Sequence, residues 1–357
     1  MKALLIPSFA LLLFSVPVVG QTATLSSVSL SELVQHAKSG DAKAQFELGR
    51  AYEDGKGLPQ DDTLAAEWFR KSADQGNAQA QNSLGVMYAL GRGVQRDKVE
   101  AVRWYKKASR QGQAEGIYNV AISYYNGEGI GEDVVASYAW MMAAKRKGDA
   151  QAAEALQNIG EQLHNRFDLS KFKLAEMYEK GDEIPQDRPA AVALYLEVAE
   201  KTPRDSLYTG PAQYRLCQLY ALGQGVPQDF AQAKSWCKQS AIGQAYIVLG
   251  RMAEKGLGQE KNLGEAADFY KQAAAQDLKD GYMEAGRLKM EIGSHEEQKN
   301  AYFWYYLAAK HKIPGAEEKL KEASAHLKEK EIKEQIKQAD EWTRMMHPER
   351  VNNLKKH

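Results

Sequence analysis

Forty-seven basic residues are cancelled by 47 acidic ones, so the chain has no net field with which to steer nucleic acid. Only two cysteines, Cys217 and Cys237, occur in 357 residues. None of the seven histidines stands near them at zinc-ligand spacing or forms a His-x-x-x-His pair, so neither a metal nor another cofactor is expected. No low-complexity linker and no second globular composition divides the chain. The one long apolar run is Ala3 to Val19, which follows Lys2 and is too short for a convincing membrane span. It is expected to be a signal peptide over residues 1–20, cleaved before Gln21 with Val18 and Gly20 at the −3 and −1 positions, or else near Ala23; an uncleaved membrane anchor is the alternative. No cysteine follows it, so a lipoprotein anchor is not expected. The chain is accordingly expected to be exported, periplasmic or secreted, with a membrane role only through its export signal.

What the sequence does have is a ladder. Trp68, Trp104 and Trp140 stand 36 residues apart. Taken as a ruler, each has a tyrosine 16 residues before it, at Tyr52, Tyr88 and Tyr124. Glycines stand at −13 and −11, as in Gly91 and Gly93, and an aspartate at −7, at Asp61, Asp97 and Asp133. The frame returns under Leu194, Trp236, Phe269 and Trp304, the last keeping only Gly293 from the loop and Glu297 at the aspartate place. Seven copies of one small unit are therefore expected.

The unit reads as two antiparallel helices. Ala44, Leu48, Gly49 and Tyr52 share one helical face. Gly-x-Gly closes the first helix, and the aspartate caps the second. The glycines do not form a phosphate-binding loop, because no preceding strand and no Gly-Lys-Ser/Thr ending accompany them. The regular spacing of the tryptophans makes them packing residues. The stretch from Leu84 to Asp97, with Ala101 and Trp104-Tyr105, resembles the Sel-one-like repeat family, relatives of tetratricopeptide repeats. The resemblance covers about residues 44–315. It implies an all-α fold, a right-handed α-solenoid of about seven helix pairs, and a protein-binding scaffold role.

The period breaks once. Trp140 to Leu194 is 54 residues, 18 more than the period. The extra segment, Ala152 to Leu163, reads as a lone helix, and a long helix over about Ala316 to Met346 reads as a polar-faced cover. Two arrangements fit. In one, residues 44–163 (after a lead-in over 21–43) form three copies with an internal cap, residues 170–315 form four more, and residues 316–357 cap them, with an elbow around His164 to Ser170. In the other, a single superhelix carries a bulge. Cys217 and Cys237 lie at similar heights on the two helices of copy five. A disulfide is expected in an exported protein, the alternative being two buried thiols.

Penicillin-binding or β-lactamase chemistry would need Ser-x-x-Lys with Ser-Asp-Asn and Lys-Thr-Gly. Ser170 to Lys173 and Ser235 to Lys238 match the first element, but the other two are absent, so an enzyme is not expected and such a hydrolase is the least favoured alternative. By resemblance, the first helices line the concave side. Positions −22 and −15 would then face a groove, which places Phe46, Tyr118, Phe172 and Tyr214 there at −22 and Tyr125 at −15. Such rings anchor a protein or peptide well, or else pack against the adjoining repeat. An envelope polymer such as peptidoglycan or exopolysaccharide is the alternative ligand.

Overall fold

Capping and periodicity determine where each helix starts and stops. The computed structural model describes residues 29–163, 166–201 and 206–346, which hold eighteen helices and no strand. The expected leader, its cleavage site, His164 and the C-terminal tail lie outside the described residues. The chain divides into two compact units at Arg96 and Asp97.

The first unit holds α1 (Leu30–Lys38), α2 (Ala42–Asp54), α3 (Asp62–Asp74) and α4 (Ala78–Leu90). The second runs through α5 (Lys98–Arg110), α6 (Ala114–Asn126), α7 (Val134–Arg146), α8 (Ala150–Leu163), α9 (Phe167–Lys180) and α10 (Arg188–Ala199). It continues with α11 (Thr209–Leu222), α12 (Phe230–Ser240), α13 (Gly243–Lys255), α14 (Leu263–Ala275), α15 (Lys279–Ile292), α16 (His295–Lys310), α17 (Ala316–Ser324) and α18 (Glu329–Met346). Within each unit, consecutive helices pack as pairs, as in an α-solenoid.

The aspartates cap as the sequence suggests. Asp97 Oδ1 accepts the N–H groups of Val99 at 3.0 Å and Glu100 at 2.9 Å, and Asp61 and Asp229 do the same at their helices. Copy seven departs from this. Its second helix begins earlier, capped by Ser294, whose Oγ accepts the Glu297 N–H at 3.3 Å, so Glu297 sits inside the first turn.

The first helices end at left-handed glycines, such as Gly91 at φ 73°. The second loop glycine does something else. A Cβ on Gly93 would lie 1.9 Å from the Asp62 carbonyl oxygen, at the start of the preceding copy's second helix. On Gly129 it would lie 2.0 Å from that of Lys98. In copies two and three, position −11 is therefore a backbone-on-backbone contact between copies.

In copies one and six a glycine at −19 receives the residue after the ruler, and in copy seven the glycine stands one residue later, Gly286 against Tyr305. A Cβ on Gly49 would be 2.7 Å from the Phe69 ring, and one on Gly250 would be 2.4 Å from that of Tyr270. Copy five fills the same slot with a disulfide: Cys217 and Cys237 have an S–S distance of 1.99 Å and a Cα–Cα distance of 5.1 Å. The ladder tryptophans are core residues to differing degrees. Trp104, Trp140 and Trp304 are buried, whereas Trp68 and Trp236 are half-buried. Lysines three residues on cover two of these rings, Lys107 Nζ lying 3.5 Å from the Trp104 centroid and Lys71 Nζ 4.1 Å from that of Trp68.

The interruption is structured. α8 begins at Ala150, 36 residues after Ala114 starts α6, with Asp149 accepting the Gln151 and Ala152 N–H groups. It is thus an in-register first helix that lacks a second one. Both α8 and α9 pack on α7, and copy four is tied back to copies two and three. Lys173 pairs with Asp133 at 2.8 Å, Arg146 with Asp187 at 3.2 Å and Lys106 with Glu183 at 3.1 Å. At the C-terminus, the single helix expected over 316–346 is two. The helix ends at Ser324, and the Glu331 carboxylate accepts the Lys328 N–H at 2.8 Å to start α18. Both helices pack on α16, and Trp342 meets Trp304 edge-on at 5.5 Å.

Candidate partner-binding surface

The five aromatic candidates do not share one environment. Phe46 is a correction: it is only 5% exposed and packs on Phe69, with ring centroids 5.8 Å apart, so it belongs to the core. The reason is helical register. Position −22 lies one turn before the small residue at −19, so its side chain lands beside the ring that fills the −19 slot. Phe172 shows the same geometry, 5.4 Å from Tyr195, and is half-buried with Tyr208 on another side at 5.6 Å.

Tyr118, Tyr125 and Tyr214 are half-buried, Tyr214 against the core cluster that includes Cys217 and Cys237. The Tyr125 hydroxyl accepts from Gln162 Nε2 of α8 at 2.7 Å, and that of Tyr214 accepts from Gln218 at 3.0 Å. Burial pushes the Tyr118 hydroxyl above its ordinary pKa, and the nearby carboxylates Asp149 and Glu154 add to this. Tyr118 is therefore a neutral donor at physiological pH. All three tyrosines lie in the second unit.

Position −15 also carries a feature that sequence reasoning missed. It holds Glu179 in copy four and Glu254 in copy six. The Tyr195 hydroxyl donates to Glu179 at 2.9 Å, and the Tyr270 hydroxyl to Glu254 at 2.8 Å. An arginine from the next copy closes each group, Arg215 on Glu179 and Arg287 on Glu254. The recurring 16-residue separation between glutamate and tyrosine was the available signal. The −19 to −15 spacing explains it, because the ring crosses the small residue and its hydroxyl reaches the same face one turn on. These glutamates are committed to holding the repeats together.

Asp133 joins copies three and four. Burial pushes its carboxyl up, but the Lys173 ammonium and the Ala136 N–H more than offset this and hold it below the ordinary carboxylate range. Its folded value lies below its unfolded one. The stabilisation is therefore in place above the ordinary carboxylate range and is lost as the pH falls through the lower folded value. Lys173→Met is expected to raise the Asp133 pKa, as read by carboxyl chemical shifts during an NMR titration. An unmoved midpoint would count against the pairing.

Among the described residues, neither serine of the Ser-x-x-Lys pairs hydrogen-bonds its lysine. Ser170 is buried, and its Oγ donates to the Arg166 carbonyl at 3.4 Å while Lys173 is held by Asp133. Ser235 Oγ accepts from Gln239 at 3.2 Å. Among the described residues, no cluster of three or more His, Cys, Asp or Glu could hold a metal, and no helix is long and apolar enough to cross a membrane.

Paired helices at a fixed period, closed by a Gly-x-Gly loop and an aspartate cap, define a helical-repeat protein of the α-solenoid class. The chain belongs to the Sel1 repeat family, matching it at residues 42–77, 78–113, 114–149, 169–202, 210–242, 243–278 and 296–312. Such repeats form protein-interaction scaffolds and are not typically catalytic. The structure is similar to that of a protective antigen of uropathogenic Escherichia coli with an SLR fold. Identity is 23%, 91% of this chain and 89% of that chain are covered, and the TM-score is 0.37. A Sel1 repeat protein from Oxalobacter formigenes is 40% identical, covering 36% of this chain and 97% of its own, with a TM-score of 0.34. The secretory immunoglobulin A-binding protein EsiB of Escherichia coli O6:H1 is 48% identical over 48 residues, which is 13% of this chain and 10% of that protein.

Proposed function

We propose that this chain is an exported scaffold that holds a protein or peptide against its first helices. The observation that carries this reading is the partial exposure of Tyr118, Tyr125 and Tyr214, each on a first helix of the second unit, in a family whose repeats serve protein interaction. Tyrosine offers a large contact area with few rotamers to freeze. The apolar run from Ala3 to Val19 and the Cys217–Cys237 disulfide support export. EsiB, a secretory immunoglobulin A-binding protein, supplies a precedent for a protein ligand, over a shared stretch of 48 residues.

The test replaces Tyr118, Tyr125 and Tyr214 with alanine together. Partner capture from envelope extract is compared with sedimentation against purified cell wall, and a thermal melt is recorded alongside. The expected result is loss of a captured protein by about tenfold or more, with little change in the melt. Sedimentation with cell wall that depends on the same tyrosines would transfer the reading to an envelope polymer. A collapse of the melt would make the three rings core residues.

A further inference from the structure

In copies two, three, five and six, whose loops keep the −11 glycine, the loop presses on the start of the preceding copy's second helix, whereas Gly293 of copy seven ends its own first helix instead. Besides Gly93 and Gly129, a Cβ on Gly225 would lie 2.8 Å from the Arg188 backbone, and one on Gly258 would lie 2.4 Å from Phe230 Cβ. Copy four has Glu183 at this position. Its loop reaches past α7 to the C-terminal end of α5. There Ser109 Oγ donates to the Glu183 carbonyl at 2.8 Å, and Arg110 Nε donates to that of Asp182 at 2.9 Å. The start of α7 is left facing a crevice of about 370 Å³.

The walls of this crevice differ in chemistry. Trp140, Tyr124, Met177, Ala136 and Ala139 supply an apolar and aromatic side. Asp133, Glu176, Asp182 and Glu183 supply four carboxylates against the two ammonium groups of Lys173 and Lys180. Asp133 is taken up by Lys173 and Glu183 by Lys106. Among the described residues, the carboxylates of Glu176 and Asp182 have no ion-pair partner.

We infer that this crevice takes one cationic side chain, arginine or lysine, from a bound polypeptide. The aliphatic stem would lie on the Trp140 and Tyr124 side, and the charged end would meet Glu176 and Asp182. At about 370 Å³ the crevice lies at the small end of ligand-site volumes. A planar guanidinium both stacks on aromatic rings and bonds carboxylates in pairs, which makes arginine the better fit. The inference rests on the reading of the chain as a polypeptide-binding scaffold, but not on the tyrosines Tyr118, Tyr125 and Tyr214.

A direct titration tests it without the natural partner. The full chain, labelled at methionine methyls and backbone amides, is titrated with Ac-Ala-Arg-Ala-NH2 and with Ac-Ala-Gln-Ala-NH2. Saturable shifts are expected at the Met177 methyl and at the Asp182 and Glu183 amides with the arginine peptide, and binding about tenfold weaker with the glutamine peptide. Glu176→Gln combined with Asp182→Asn should weaken the arginine peptide by about tenfold while leaving the thermal melt in place. Equal responses to the two peptides, shifts centred elsewhere, or no saturable response would overturn the proposal. Because the probes bypass the tyrosine surface, such a failure would leave the tyrosine reading to its own test.

Discussion

Gly93→Ala is expected to destabilise the protein by about 4 kcal/mol, enough to unfold part of the array. Two costs combine. The residue sits at φ 66°, where an alanine is strained by about 1 kcal/mol or more. In addition, the new Cβ would lie 1.9 Å from the Asp62 carbonyl oxygen, and backbone on both sides leaves no flexible side chain to yield. Gly76→Ala separates the two terms. Gly76 has φ 92°, but a Cβ there meets nothing within 4 Å, so only the conformational cost applies. Urea denaturation of both variants measures the difference. Equal losses would show that the loop glycine is needed only for its backbone angles.

Breaking the Cys217–Cys237 bridge should have the next largest effect, a loss of about 3 kcal/mol. The two cysteines are 20 residues apart in sequence and wholly buried. They occupy the slot that Gly49 and Phe69 fill in copy one. Cys217→Ala with Cys237→Ala would remove the link and leave the slot underfilled. Cys217→Gly with Cys237→Phe would instead install the copy-one pair, and is expected to recover part of the loss. Phenylalanine is preferred to tyrosine because copy five carries Ala221 at −15, where copies four and six offer a glutamate to the ring hydroxyl. Each repeat leans on its neighbours, so reduction should speed amide exchange first in α11 and α12. Denaturation midpoints that match with and without dithiothreitol, once two free thiols have been counted, would show that the bridge is energetically idle.

The fold was legible because its signals are local. A 36-residue period, an aspartate placed to cap and a glycine placed to stop a helix all act within a few residues along the chain. The copy-seven cap and the break at Ser324 were missed for the same reason: Ser294 and Glu331 offered competing local caps that the ruler did not weigh. The candidate surface was less legible. Sequence leaves position −22 open between a groove and packing, and the −19 slot decides it for Phe46, which packs on Phe69.

By itself, the sequence determined the repeat class, the number of copies, the place of the interruption and the residues that cap and close most helices. Tertiary structure alone decided which repeated residues are exposed. It also decided that the second loop glycine serves a contact between copies, that α8 is an in-register first helix, and that Glu183 leaves a crevice beside α7. Capping and periodicity are properties of one stretch of backbone. Exposure and close approach depend on which surfaces of different copies meet, and residues far apart in sequence share that information only once they are packed.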